Sequence, residues 1–443
     1  MENSFYTLLV VLLPLCMLVF LLTEYDILNP VCIVAGLMTF SVFLASTKIE
    51  RWHLYMSADA SLLIITSLCC FIFSGLWVDW RIKKNIVGIP ALKEDCIYSI
   101  SNTGILVMSC IILILGYFQH REFYDSSVML GNTSGPLDFS SMIKTIRPFF
   151  ERETFKFSRW YYYRIFLAQA LIYCNLFVFF MRSIRRNFRF QFRENIKYLT
   201  PFMPFITFFV CATGRTLPLY LILFCLITGA IIYQIQNGFL LQCKINITAI
   251  CLLCGFIFFV SFLILGTLSG KVSPGGRSPY EILVHYVGLS MPAFSSFLEQ
   301  IPMETPYIGN TTLNGIYNNL NRLGAGLPTV KVFLPFVRFS DIDTNVYTMM
   351  ARYINDYGFV GMHLIMAIIS IFYTILYDYI RFISLKFDCI PYYGFLPITL
   401  FFATNDDCFL SQILSTETFY KCVLFYLIYK IFVKKTIMEQ LSH

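Results

Sequence analysis

About eleven apolar runs, most near the roughly 20 residues that one helix needs to cross a bilayer, fill most of this chain. They lie at 5–22, 28–46, 60–78, 101–118, 163–181, 198–213, 216–235, 247–267, 352–377, 388–404 and 418–433. The runs are continuous and do not alternate, which excludes a transmembrane barrel. The expected fold is an all-α polytopic membrane protein, one integral domain over 1–443. The first run has no basic leading region and no small-residue cleavage site after it, so it is expected to remain as a helix.

One long polar stretch interrupts the pattern. From about Leu268 to Thr348 no run is long enough to span, and the segment carries Lys271, Arg277, Glu281, His285, Glu299, Glu304, Arg322, Lys331, Arg338, Asp341 and Asp343. A second polar loop covers 119–160. A rigid scaffold usually displays its binding groups on loops. The expectation is that 268–348 carries the chemistry or closes the site, with short amphipathic helices lying over a lateral opening to lipid. On that expectation a cysteine at Ser295 would be open to labelling.

The Lys/Arg bias gives an orientation. The stretch 182–197 holds Arg182, Arg185, Arg186, Arg189, Arg193 and Lys197 against Glu194. Arg81, Lys83 and Lys84, then Arg381 and Lys386, then Lys434 and Lys435 mark further inside segments. Counting spans back from these puts the N-terminus, 119–160 and 268–348 outside. Lys48 and Arg51 also fall outside, against the rule. Hydrophobic residues make up 57% of the chain and charged ones 13%, where a soluble domain carries roughly 25% charged. The net charge of +7 therefore belongs to the inside loops beside anionic lipid headgroups, and nothing points to nucleic acid.

The 15 cysteines are mostly within spans, as at Cys69, Cys70, Cys225, Cys251 and Cys254, and act there as small apolar residues. Cys408 is the clear outside candidate, so no disulfide framework is expected. Cys251 and Cys254 have the spacing of a metal pair but no partner His or Cys, and no metal is expected there. No phosphate-loop, dinucleotide, zinc-protease or nucleophile-elbow pattern is present. Asp406-Asp407 is an acidic pair, but its spacing and its side of the membrane do not suit a metal-bound sugar nucleotide.

Two polar constellations remain. The stretch 198–235 is long enough for two passes and is broken by Thr213-Gly214-Arg215-Thr216-Leu217-Pro218. Arg215 then sits at a hairpin tip on the outer side, without another cation flanking it. It can grip a phosphate bidentately or snorkel to the interface. The second constellation ends the large loop. On a helix, Asn345, Thr348, Arg352 and Asp356 would form one stripe. That stripe is either a binding surface or a helix start tidied by an Arg352–Asp356 pair. Gly358 and Gly361 fit close helix packing.

The phrase TNVYTMMARYINDYGFVG, which precedes a span, resembles the corresponding segment of O-antigen polymerases of the Wzy type, the oligosaccharide repeat unit polymerases. ATGRTLPLYLIL is similar to that family's helix-breaking Arg segment, and LNPVCIVAGLMTF to its opening. SPYEILVHYVGLSMPAFSSFLEQ lies where the family has a Tyr-containing amphipathic segment in its large periplasmic loop. The likeness covers most of the chain as a layout, and 344–361 with the Arg215 hairpin carries its specific part.

The resemblance implies a GT-C-like glycosyltransferase of the bacterial inner membrane with its site at the periplasmic face. Donor and acceptor would be undecaprenyl-pyrophosphate-linked oligosaccharides, with no cofactor and no metal, and a chain-length regulator as a partner protein. Arg215 and Arg352 would stabilise the pyrophosphate leaving group, with Arg277 as a third phosphate ligand. Asp356 and His285 are the two candidates for accepting the hydroxyl proton, although His285 also reads as an interfacial loop residue. Asn345 and Tyr347 would orient sugar hydroxyls, and Thr348 and Tyr353 complete the substrate-binding candidates. Two other functions fit the same layout. An O-antigen ligase would differ in its acceptor, the lipid A core, and the NVYT-like segment favours the polymerase. A non-enzymatic flippase or transporter would show repeated halves and polar residues through mid-bilayer. No internal repeat is visible, and the charges gather at one face.

Overall fold

The computed structural model describes residues 4–86, 96–151, 154–184, 191–212, 216–237, 243–251, 253, 255, 260, 278–299, 308–328, 334–383, 390–407 and 409–437. The protein is mostly helical. Among the described residues six helices are long and apolar enough to cross a membrane, those beginning at Phe5, Ala58, Asn102, Arg159, Thr216 and Met349. Several expected spans are shorter or interrupted. The second is the 17-residue helix Pro30–Ser46. The span at 198–213 is a 3-10 turn followed by the ten-residue helix Phe202–Cys211. The span at 388–404 is helix Ile390–Phe395 followed by the 3-10 helix Pro397–Phe402, with Pro397 in the first turn of the second piece. The last is Thr416–Phe432, and most of 247–267 lies outside the described residues. Two small antiparallel ribbons depart from an all-α fold, Cys96–Ile100 with Val433–Ile437 and Val337–Phe339 with Ile342–Thr344.

Contacts divide the chain into two compact units, each discontinuous in sequence. One comprises Met1–Ala91, Arg277–Lys386 and Leu396–Phe419. The other comprises Leu92–Gly276, Phe387–Phe395 and Tyr420–His443.

The first unit is built on helices Phe5–Leu22, Pro30–Ser46, Ala58–Ile86 and Met349–Asp378. Asn29 starts the second of these by accepting the Val31 N–H, and Pro30 follows at the first helical position, where its missing N–H is harmless. Gly75 lets Ala58–Ile86 approach Met349–Asp378. A Cβ there would lie 2.5 Å from both Ser370 Oγ and Val31 Cγ2. Phe71, Met362, Met366, Ile369 and Tyr373 are buried in the shared core.

This unit has two polar ends. At one, the Ser4 N–H donates to the Met56 carbonyl and Glu281 takes both Lys48 and Arg51. The basic pair that conflicted with the charge rule is therefore held by an acid of the large polar stretch. At the other end lie Glu24, Asp26, Asp79, Lys83 and Arg381.

Over its described residues the polar stretch is more structured than a surface loop. Ser278 and Glu281 form a capping box for helix Pro279–Leu283, which passes through a π-turn at Val284–Gly288 into helix Ser290–Glu299. This piece packs on Pro30–Ser46, burying Val284, Leu289, Met291, Phe294 and Phe297. A surface amphipathic helix leaves one face in lipid or water, whereas here most of the apolar residues enter the core. Ser295 is buried too, accepting the Ser57 N–H at 2.9 Å, so it is not open to labelling. Helix Asn314–Arg322 fits the amphipathic expectation better, with Ile316 and Leu320 on one stripe among asparagines.

In the second unit the expected loop at 119–160 is largely helical. Helix Asn102–Met129 runs well into it and Phe139–Glu151 follows. Arg164 on helix Arg159–Ser183 pairs with Glu122 and donates to Gln119. Tyr173 stacks on Phe224 of helix Thr216–Asn237 at 4.1 Å between centroids. One helix ends at Cys211 and the next begins at Thr216, so the expected break is present, but Arg215 itself lies outside the described residues.

Candidate functional site

One set of polar groups in the first unit converges at the start of helix Met349–Asp378. Thr348 flanks that start with an extended backbone and makes no capping bond. The Met349 N–H instead donates to the Ala403 carbonyl at 3.0 Å, bringing the 403–411 turn beside the first helical turn. Gly358 then breaks the helix with φ +69°, a conformation that side chains other than glycine rarely adopt. A Cβ on Gly361 would meet Tyr357 Cβ at 2.4 Å. These two glycines serve the kink, rather than packing of one helix on another.

Arg352 lies before the kink and is buried. Its guanidinium forks onto Asp406, Nη2 donating to Oδ2 at 2.8 Å and Nε to Oδ1. The Asp406 side chain is 43% exposed while that of Arg352 is 8% exposed, so the pair presents its carboxylate outward. The adjacent acid does different work. Asp407 accepts the Tyr353 hydroxyl at 2.6 Å and the N–H groups of Phe409, Leu410 and Ser411. Burial pushes its carboxyl above the ordinary carboxylate range, against the opposing pull of these bonds. Tyr353 is thus a brace for the turn, and the two acids set aside as an unsuitable metal pair organise the site.

Asp356 is not paired with Arg352 by a salt bridge. Its Oδ2 accepts four hydrogen bonds, from Thr311 N at 3.1 Å, Thr311 Oγ1 at 2.9 Å, Thr312 N at 2.8 Å and Thr312 Oγ1 at 2.8 Å. Asn355 Nδ2 donates to its other oxygen at 3.1 Å. The carboxylate is thus engaged at both oxygens. Its work is to clamp the 309–313 segment to the helix, aided by a 2.8 Å bond between Thr312 Oγ1 and the Tyr357 hydroxyl.

The remaining sequence candidates scatter. Asn345 is half-buried in the connection between the ribbon and the helix, so the proposed stripe does not form. Tyr347 is buried, and its hydroxyl donates to the Pro335 carbonyl at 2.7 Å. Burial raises that phenol to about 12. It braces the fold and offers little to a sugar. His285 bonds through Nε2 to the Asp343 carbonyl at 3.1 Å, linking the helical part of the polar stretch to the short ribbon. Thr348 Oγ1 and both amide atoms of Asn310 are buried without a hydrogen-bond partner among the described residues. Arg277, like Arg215, lies outside the described residues.

In the sequence Asp406 and Asp407 are an adjacent acidic pair unsuited to a metal-bound sugar nucleotide, with no site role assigned to them. The signal that assigns them is an Arg at the start of an apolar helix, which needs a carboxylate once it is desolvated. Nothing local says which carboxylate that is, because Arg352 and Asp406 are 54 residues apart. Comparison with protein-family models, curated proteins and solved structures gives no match.

Proposed function

We propose that this chain is a membrane glycosyltransferase that polymerises undecaprenyl-pyrophosphate-linked oligosaccharides into O-antigen or a related surface polysaccharide. It would act at the periplasmic face of the bacterial inner membrane with a GT-C-like helical scaffold. The observation that carries this reading is the Arg352–Asp406 pair, a buried guanidinium fork closed by a half-exposed carboxylate. A pyrophosphate competes for the same fork, because both anions are held bidentately. On donor binding the phosphate oxygens replace Asp406 at Arg352. Asp406 is then free to accept the proton of the attacking sugar hydroxyl. Arg352 meanwhile neutralises charge as the glycosyl–oxygen bond to the pyrophosphate breaks. Asp356 keeps a positioning role in this scheme, and Arg215 and Arg277 remain candidates for further phosphate contacts.

The test is complementation of a strain lacking the gene, read as a lipopolysaccharide ladder on a gel. The unaltered chain restores the ladder. Arg352→Lys keeps the charge but loses the fork, and should leave core plus one repeat unit. A normal ladder from well-expressed Arg352→Lys overturns the role of the fork. Core without any repeat unit in the deletion strain, with lipid-linked polymer accumulating, assigns a ligase instead.

A further inference from the structure

The end of the first unit away from Arg352 buries three carboxyl groups. Asp26 lies on the turn between helices Phe5–Leu22 and Pro30–Ser46, Asp79 in the last two turns of Ala58–Ile86, and Asp378 closes Met349–Asp378. They are 0%, 5% and 0% exposed respectively. Asp26 is well supplied. The Tyr377 hydroxyl donates to it at 2.6 Å, the Leu28 N–H at 3.2 Å, and the Arg381 guanidinium lies 3.5 Å away. Asp79 receives Lys83 Nζ on Oδ2 at 2.8 Å. Asp378 is different. Neither of its oxygens has a hydrogen-bond donor among the described residues, and neither does Asp79 Oδ1. Asp79 and Asp378 each stand one turn beyond the place where the two helices meet, a Cβ on Gly75 lying 3.1 Å from Thr374 Oγ1, which sets the two carboxyls side by side. The Thr374 hydroxyl, one turn before Asp378, is also buried and without a partner.

Two carboxylates in contact away from water cannot both be ionised at reasonable cost. One proton between them removes the repulsion and gives the unpartnered oxygens a donor. The charge balance of the cluster agrees. Among the described residues the groups facing the pair are Lys83 on the Asp79 helix, Glu24 and Asp26 on the turn, and Tyr377 and Arg381 on the third segment. Arg381 is engaged with Asp26, and Lys83 with Asp79 and, at 3.7 Å, the exposed Glu24. Among the described residues three buried acids then face two cations, and a single proton makes that set neutral. No group of three or more acid, His or Cys side chains among the described residues has the geometry to hold a metal ion.

We propose that Asp79 and Asp378 form a proton-binding site, a carboxyl–carboxylate pair holding one exchangeable proton between helices Ala58–Ile86 and Met349–Asp378. The proton sits on one carboxyl oxygen and is donated to an oxygen of the other. Raising the pH removes it to solvent and leaves two adjacent negative charges. The long helix that carries Arg352 at its far end then loses its hold on its neighbour. The folded pair holds a proton that the unfolded chain gives up to water, so the site stabilises the folded state less as pH rises.

The test uses the full chain purified in detergent. Thermal unfolding is followed from mildly acidic to mildly alkaline pH, in sodium and in potassium buffers of equal ionic strength. The unaltered chain should lose Tm on the alkaline side, equally in both salts. Asp378→Asn, whose amide supplies the missing N–H without titrating, should flatten that dependence. Infrared difference spectra should contain a protonated-carboxyl C=O band at neutral pH that is missing in Asp378→Asn. If that variant does not fold, Asp79→Asn serves in both measurements, and if neither folds the band decides once Asp407→Asn, outside the pair, is shown to retain it. Absence of the band overturns the proposal. So does an unchanged pH dependence in a folded variant. A rise in Tm specific to sodium overturns it in favour of a bound metal cation.

Discussion

Asp356 separates a chemical role from an architectural one. Its Oδ2 accepts two backbone N–H groups and two hydroxyls from Thr311 and Thr312, all in buried positions. Hydrogen bonds to a charged acceptor contribute about 1.5–3 kcal/mol each and neutral ones about 0.5–1.5 kcal/mol. Asp356→Asn keeps an oxygen toward the threonines and loses the charge. The new amide NH2 would face the Nδ2 of Asn355, but Asn355 Oδ1 is buried without a partner, so that side chain can turn over and accept. Four bonds sharing one oxygen weaken together, and the net cost should be about 2 kcal/mol, below their additive sum. Asp356→Ala leaves the Thr311 and Thr312 N–H groups buried without an acceptor, at about 1–3 kcal/mol each, or about 2–6 kcal/mol in total. The assay pairs thermal unfolding in detergent with the polysaccharide ladder in a complemented strain. Asp356→Asn should lower the Tm modestly and keep a ladder in proportion to the folded protein, and Asp356→Ala should lose both together. An Asp356→Asn protein with unaltered Tm and no ladder would refute the clamp and return Asp356 to the chemistry as a base.

Three further outcomes are expected. Leu323 is 85% exposed at the end of helix Asn314–Arg322, so Leu323→Cys should react with a membrane-impermeant thiol reagent in intact spheroplasts above the unaltered chain; labelling confined to lysed cells would reverse the orientation. Gly358→Ala places a side chain at φ +69° and should destabilise the helix break by about 1–3 kcal/mol, read as a drop in Tm; an unchanged Tm would mean that the kink is dispensable. Glu281 is held below the usual carboxylate range first by the Ser278 N–H and then by Arg51 and Lys48. Its folded form therefore binds protons less tightly than the unfolded form, and its stabilisation is present above the ordinary glutamate value of about 4.3 and fades as pH falls below it. Glu281→Gln should make acid unfolding less steep, measured as Tm against pH, and an identical acid slope would show that the Lys48–Arg51–Glu281 contact carries no linkage.

Repeated apolar runs, a helix break between 211 and 216 and basic segments beside the helices were legible in the sequence because each depends on neighbours a few residues away. Hydropathy makes helices of Phe5–Leu22, Arg159–Ser183 and Met349–Asp378 whatever they pack against, and Pro218 falls in the first turn of the helix after the break, where a missing N–H is tolerated. The same local logic marked Arg352 as noteworthy and then gave it the wrong partner. Four residues along a helix, Asp356 was the nearest acid in sequence, and periodicity has no term for a group brought in from elsewhere. Tertiary packing decided otherwise. It set the turn holding Asp406 against the first helical turn, and it laid the Thr311 and Thr312 N–H groups on Asp356. It likewise turned Lys48 and Arg51 from an anomaly of orientation into partners of Glu281, 233 and 230 residues away. The physical reason is desolvation. Once helix packing excludes water, a charged group must find whichever opposite charge or donor is buried beside it, and only the assembled fold determines which that is.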